Sequence, residues 1–429
     1  MPPARPNPPS LRSTRWILFW IVAAGFAFRL VFCGVTQGLN SPPDPALGLD
    51  HVQYERIGRY LVEGKGYKMH AWENPSALRP PGMPFFIAGL YTVFGPHYAA
   101  VRIALCLLGA LTALPLFFIA RRIAPEPWAL AAAALLAASP GHAYYSTHFF
   151  SEPPWTLLMT ILICLGARPL EQRGAMGVVG QGLLLGVAAL VRPAAFLYPF
   201  IWIFLDFVCA LLARDSMSRL KRRIALYAVL FVSMMAVILP WSFRNQRVLG
   251  EFVLFSTHGG STFYGAHNER VLNDPDLIGR WVPYEEIPGA RDMKHVAGEM
   301  DRERESWARG KRFVAEHWAD MPRLTFWKFY RLLQVNPETP NRLFNLAVGT
   351  SYGLLLPFML VGLVVLCTRG RCSPAALTLW ATLLTLAAHT VLLYGDHRFR
   401  ISIEPVLILL AVLGAWGILE RLRARSAGR

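Results

Sequence analysis

The stretch "WILFWIVAAGFAFRLVFCGVTQGLNSPPDPALGLDHVQYERIGRYLVEGKGY", Trp16 to Tyr67, decides the fold. Its first twenty residues, Trp16 to Val35, are apolar except for Arg29. A helix of that length crosses the hydrocarbon core of a bilayer. The run is too long for a signal-peptide core and no clear cleavage site comes after it, so it reads as a retained span. The remainder of the stretch is acidic, basic and aromatic by turns. In "DHVQYERIGRYL" the positions Tyr54, Ile57 and Leu61 share one helical face, with Glu55, Arg56, Arg59 and Glu63 largely off it. That segment is too short and polar to span, and the pattern predicts a helix lying at the membrane surface, ended by Gly64 and Gly66.

The rest of the chain agrees with a membrane protein. Of 429 residues, 54% are hydrophobic and only 16% charged, where a soluble domain carries about a quarter charged residues. Apolar segments near 16–36, 98–120, 127–147, 152–167, 175–190, 194–213, 224–243, 346–367, 374–394 and 401–419 predict an all-α polytopic membrane protein of about ten transmembrane helices. The pair 175–190 and 194–213 is short enough to be a broken or re-entrant helix instead.

The net charge of +16 does not point to nucleic acid. Its basic residues stand at the ends of apolar runs: Arg12 and Arg15, Arg121 and Arg122, Arg168 and Arg173, Arg219 to Arg223, Arg369 and Arg371, and Arg421 to Arg425. With the N-terminus inside and the spans alternating, every one of these clusters falls on the cytoplasmic side, as the positive-inside rule requires, and the C-terminus ends inside too. Two long loops then lie outside, about 37–97 and 244–345. The chain divides into an N-terminal transmembrane module (1–243), an extracytoplasmic cap (244–345) and C-terminal transmembrane helices (346–429). Helix formers in the cap predict a helix near Ala297–Trp318, and "PFFIAGLYTVFG" reads as a second interfacial helix. The six cysteines show no disulfide framework or zinc spacing and read as small apolar side chains.

Several charges fall where hydrocarbon or its rim should be: Arg29, Glu152, Arg192, Arg244, and Asp396, His397, Arg398 and Arg400 in a short external loop. Unpaired burial of such groups is expensive, so they are candidates for function; snorkelling or mutual pairing is the bland alternative. Asp50 opens the surface helix with Gln53 three residues on, which suits either a capping box or a general base at the mouth of a membrane cavity. Arginines gathered toward one leaflet suit a lipid-borne phosphate, because the guanidinium fork matches its oxygens.

The motifs "LDHVQYERIGRYLVEGKGY", "RPPGMPFF", "FFSEPP", "LVRP", "PWSFRNQRVLGEFVLFSTHGG" and "HRFRISIEP", in that order over nearly the whole chain, resemble the GT-C superfamily of integral-membrane glycosyltransferases. The branch is that of protein O-mannosyltransferase-like and lipid A aminoarabinose transferase-like proteins. The resemblance implies a polyprenyl-phosphate sugar as donor and chemistry on the extracytoplasmic face of the cell (inner) membrane. It places the catalytic acid at Asp50 and substrate-binding positions at Arg79, Glu152, Arg192, Arg398 and Arg400. His397, taken with the arginines as a further substrate-binding residue on the phosphate, stands where the family often has an acid, and Phe399 where it often has Tyr. Some members bind a divalent metal through loop carboxylates; Asp44, Asp50 and Glu152 are present here, no spacing demands a metal, and metal dependence stays open. The expected partners are the lipid-linked donor, a glycan, glycolipid or protein hydroxyl acceptor, and membrane lipid, with no nucleic acid. A lipid or sugar-lipid transporter is the competing reading, since it also needs a cavity and basic residues. HExxH and GxSxG, the common hydrolase signatures, do not occur.

Overall fold

The computed structural model describes residues 11–70, 74–296, 298–337, 342–368 and 372–427, and every regular element in them is helical. In chain order these are α1 (Leu11–Thr36), α2 (Asp50–Val62), α3 (Gly82–Phe94), α4 (Tyr98–Leu111), α5 (Ala113–Ala120), α6 (Glu126–Ala138), α7 (Pro140–Ser146), α8 (Glu152–Gly166), α9 (Gly174–Val191) and α10 (Tyr198–Leu212). They continue with α11 (Met217–Leu249), α12 (Gly259–Ala266), α13 (Glu269–Asn273), α14 (Glu299–Glu316), α15 (Met321–Leu333), α16 (Arg342–Thr368), α17 (Pro374–Leu392), α18 (His397–Ser402) and α19 (Glu404–Ala427). The chain is an all-helical integral membrane protein. Eight stretches are long and apolar enough to cross a bilayer, and α3, α6 and α8 are shorter apolar helices. The expected span 127–147 is broken at Ser139–Pro140 into α6 and α7. The 175–213 region holds two helical stretches, Gly174–Val191 and Pro193–Leu212, each with a span's length and hydropathy.

The bundle packs closely where side chains are small. A side chain on Gly362 of α16 would run into the Leu410 carbonyl oxygen, and one on Gly414 of α19 into that of Phe358. Close backbone approach is how membrane helices gain packing energy without a hydrophobic drive between them. Arg29 illustrates the same economy of partners. It is fully buried, and its guanidinium donates to the Ala137 and Leu136 carbonyls at 2.8 and 3.2 Å, with His142 Nδ1 at 3.0 Å. It therefore caps the carboxyl end of α6, where carbonyls lack helical partners. The expectation of a functional outer-leaflet charge at Arg29 gives way to this structural one.

At one end of the bundle the first loop, the 250–337 segment and the 393–403 loop meet. On α2, Tyr54 and Ile57 are buried as the periodicity predicts, and Tyr54 packs with Met83, Ile87 and Tyr91 of α3. Helix α11, 33 residues or roughly 50 Å long, outreaches the bilayer. Its last turns hold the adjoining loop: Trp241, Ser242 and Asn245 donate to the carbonyls of Phe255, Leu254 and Val253. Arg244 beside them donates to Ser76 O at 2.7 Å and lies over the Trp241 ring, tying the cap to the first loop. The cap's own core is a cluster around Val271, Ile278 and Met293 closed by Leu324 of α15.

Two expectations need correction or fall outside this description. Cys209 and Cys372 are paired, with Cα atoms 5.6 Å apart, so these two are not simply small apolar side chains. Arg369 and Arg371 lie outside the described residues.

Candidate active site

The site grows from five distant segments. Asp50 is the first residue of α2, and no side chain caps that helix. The capping-box alternative is therefore not what forms: Asp50 Oδ1 takes Arg79 Nη2 at 2.8 Å and Oδ2 takes Arg398 Nη1 at 2.9 Å. Gln53, its expected capping partner, accepts from Arg79 Nε at 2.6 Å instead. Spacing explains this, since residues three apart on a helix share a face.

Arg79 precedes Pro80 and Pro81, which bias its backbone to an extended form. Tyr67 Oη pins the segment by donating to the carbonyls of Arg79 and Pro80 at 2.8 and 3.2 Å. Glu152 opens α8, where a carboxylate meets the positive end of the helix dipole. Its side chain is 1% exposed and is held by Arg192 Nη1 at 2.9 Å and by Arg398 through Nε and Nη2. Arg192 ends α9 in extended backbone before Pro193, donates to Ser402 Oγ at 3.1 Å, and sits over the Trp155 and Phe399 rings. Arg398 itself lies over Phe150, 4.4 Å from the ring centre.

The result is one continuous ladder: Gln53, Arg79, Asp50, Arg398, Glu152, Arg192, Ser402. Three guanidinium groups face two carboxylates, a surplus of one positive charge. Arg398 is the rung common to both acids, because all three of its nitrogens face a carboxylate oxygen. Burial alone would push the Asp50 carboxyl up, but Arg79 and Arg398 outweigh it and hold the group well below the usual carboxylate range. Burial likewise works against the charge on Arg398, and Glu152 and Asp50 overcome it and push its pKa up.

Five of the seven candidate residues are thus brought together. His397 and Arg400 are not in the ladder. His397 pairs with Asp396 at 3.0 Å and stands 3.4 Å from Tyr145 Oη. Arg400 donates to the Gln334 carbonyl at 2.8 Å and lies over the Tyr352 ring. In a helix, residues two apart point to opposite sides, which separates Arg400 from Arg398.

Sequence reasoning missed Gln53, Phe150, Ser402 and His258. The last sits in "FSTHGG" at the cap's edge; burial first, and then Arg79, lower its pKa to about 3, so a neutral imidazole overlooks Asp50. Among the described residues no group of three or more His, Cys, Asp or Glu side chains converges as a metal site would. Asp44 is occupied locally, accepting from Ala46 N.

Comparison with known proteins bears on this arrangement. Residues 78–242 match the family model of dolichyl-phosphate-mannose-protein mannosyltransferases. No curated protein matches the chain. Among solved structures, the chain superposes on the Archaeoglobus fulgidus oligosaccharyltransferase tethered with an acceptor peptide, with TM-score 0.59 and 13% identity, covering 98% of this chain and 51% of that one. It also superposes on the same organism's oligosaccharyltransferase AglB in complex with an inhibitory peptide and a dolichol-phosphate, with TM-score 0.56, 13% identity and coverage of 96% and 51%. The chain spans about half the length of these oligosaccharyltransferases. A looser likeness, TM-score 0.46 at 18% identity, covers 90% of this chain and 77% of ArnT from Cupriavidus metallidurans bound to undecaprenyl phosphate. The resemblance to GT-C membrane glycosyltransferases read from the sequence is therefore matched twice, by a family model over part of the chain and by fold over nearly all of it.

Proposed function

We propose that this chain, which has the GT-C fold, transfers a hexosyl or pentosyl group from a polyprenyl-phosphate donor to a hydroxyl acceptor, with inversion. The observation that carries the reading is the ladder, which sets a carboxylate base among arginines suited to phosphate at one end of a membrane bundle. The reaction face is read as extracytoplasmic, with both termini cytoplasmic, because Glu152 opens α8 and Arg192 ends α9, at the helix ends opposite the basic Arg168 and Arg173. The family match and the dolichol-phosphate held by the similar oligosaccharyltransferase support a lipid-linked donor.

In this mechanism Asp50 takes the acceptor hydroxyl's proton. The oxygen attacks the anomeric carbon opposite the phosphate, the carbon–oxygen bond to phosphate breaks, and the lipid phosphate leaves with the electron pair. The outer arginines suit the phosphate better than the central one. Arg79 binds Asp50 through Nη2 and Gln53 through Nε, and Arg192 binds through Nη1 alone, whereas Arg398 is fully engaged. Stabilising a departing anion by such donors contributes about 3–4 kcal/mol per group. Donor binding also has a second consequence. With two guanidinium groups on it, Asp50 is a weak base. A phosphate that draws Arg79 toward itself raises the basicity of Asp50 when, and only when, donor is present. Glu152, held by Arg192 and Arg398, keeps both guanidinium groups aimed.

The test is transfer in reconstituted vesicles with a panel of polyprenyl-phosphate sugars. The wild type should transfer one of them. Movement of lipid across the bilayer without transfer would hand the case to a transporter. The pH profile adds an independent reading. In free enzyme Asp50 stays ionised below its ordinary value, so kcat/KM should remain level through about pH 4, the usual aspartate range. Arg79→Gln, which removes one of the two guanidinium groups, should bring an acid limb upward toward that range; an unmoved profile would remove Asp50 from the base role. The sign for stability is the same: the contribution of these pairs is complete above about pH 4 and is lost as pH falls through the depressed folded value.

A further inference from the structure

Behind the ladder, on the other side of α18, lies a second set of polar groups that the reaction does not use. Arg400 is 2% exposed, and its Nη2 has no partner among the described residues. Glu404, at the head of α19, accepts from Ser139 Oγ at 2.5 Å through Oε1, while its buried Oε2 has no partner among them either. Both groups line a cavity of about 220 Å³ between α6–α7, α16 and α19. Most of its remaining wall is aliphatic. Its rim includes Leu135, 39% exposed, and Leu354, 68% exposed, on apolar helices of the bundle, so it opens sideways toward lipid.

Arg400 and Glu404 attract each other and Tyr352 also bonds Arg400, yet the guanidinium Nη2 and the carboxylate Oε2 each lack a hydrogen-bond partner among the described residues, which costs free energy until something supplies it. The complement here has three parts: an anionic acceptor for Arg400, a hydrogen-bond donor for Glu404, and an apolar tail to leave between Leu135 and Leu354. We infer that the cavity is a binding site for a glycerophospholipid whose head carries a donor beside its phosphate, as an ethanolamine head does. A bare polyprenyl phosphate supplies the acceptor and the tail but no donor for Glu404, and a sugar on it offers neutral hydroxyls where an ethanolamine head offers an ammonium, whose charge-assisted bond to a carboxylate is the stronger. The site rests on the chain's spanning the membrane, not on the transfer reaction. Its occupant would brace α18 from behind, on the helix whose opposite side carries Arg398.

The experiment is native mass spectrometry of the full chain, delipidated in mild detergent and titrated with phosphatidylethanolamine, diacylglycerol, polyprenyl phosphate or inorganic phosphate. One phosphatidylethanolamine per chain should be retained, and diacylglycerol should not. Neither polyprenyl phosphate nor inorganic phosphate should displace it. Arg400→Gln, which loses one charge-assisted bond, should weaken retention about 10-fold. Ala138→Phe, which places a ring at the mouth and touches no buried polar group, should do so too. Melting temperatures in lipid-free detergent separate loss of lipid from loss of fold. No retention by the wild type, equal retention by both variants, or displacement by either phosphate would overturn the site. Because the readout is occupancy, a chain that transferred no sugar at all would leave this result standing.

Discussion

Asp50→Asn should lower sugar transfer by about 100- to 10,000-fold, the usual range for loss of a general base, while the protein keeps its fold and its donor. The side chain is 28% exposed and sits at the open end of α2, and the buried Arg79 that it faces keeps Gln53 Oε1 as an acceptor. Asparagine still offers a carbonyl oxygen to Arg79 or Arg398. The donor loses nothing by the change, because removing a carboxylate leaves the arginines more available to phosphate. The expected signature is therefore a fall in kcat with KM for donor unchanged or lower, which marks a group acting in the transition state. A variant with full kcat would reduce Asp50 to a counter-ion for the arginines and direct attention to Glu152.

The second large effect concerns stability. Arg398→Gln should destabilise the protein by about 3 kcal/mol, the lower part of the range for breaking a buried ion pair. The low end applies because Arg79 still pairs with Asp50 and Arg192 with Glu152. The loss is of the cation that faces both acids at once. Asp50 and Glu152 then confront each other without an intervening charge, and one of them binds a proton more readily. Adding Glu152→Gln should return part of the loss, since like-charge repulsion disappears with the second carboxylate. Denaturant or thermal unfolding in detergent measures both variants. A single variant that melts with the wild type would show that the bridge is not structural, and a double variant worse than the single would show that repulsion is not the cause.

How far the sequence could be read depends on which physics is local. Membrane spans are set by runs of apolar residues, so their order and most of their extents were legible, as was the surface helix from Tyr54, Ile57 and Leu61. The break at Ser139–Pro140 was not, because "ASPGHAYY" stays apolar enough to blur into its neighbours. Among the described residues of 250–337 only the helix Glu299–Glu316 was foreseen; α12 and α13 are too short to show a period, and α15 carries Phe, Trp and Tyr among its charges. At the site, motif resemblance collected Asp50, Arg79, Glu152, Arg192 and Arg398. It also collected Arg400, which a reading of side-chain direction along α18 would have separated. The contacts of Arg29 were beyond reach for a different reason: its partners are backbone carbonyls, which every residue has and no sequence marks.

That arginine has a consequence in time. The carbonyls it caps, at 136 and 137, lie 107 and 108 residues further along the chain. At ribosomal speeds of about 5–20 residues per second, roughly 5–20 s separate the synthesis of Arg29 from that of its partners. During that interval α1 carries a cation that bulk lipid will not accept. Helix α1 should therefore wait beside the insertion machinery and be released only when α6 arrives. Crosslinking of stalled nascent chains, shorter and longer than about 140 residues plus the ribosomal tunnel, would find α1 still at the channel in the first case and gone in the second; early release in both would mean that the arginine finds water on its own.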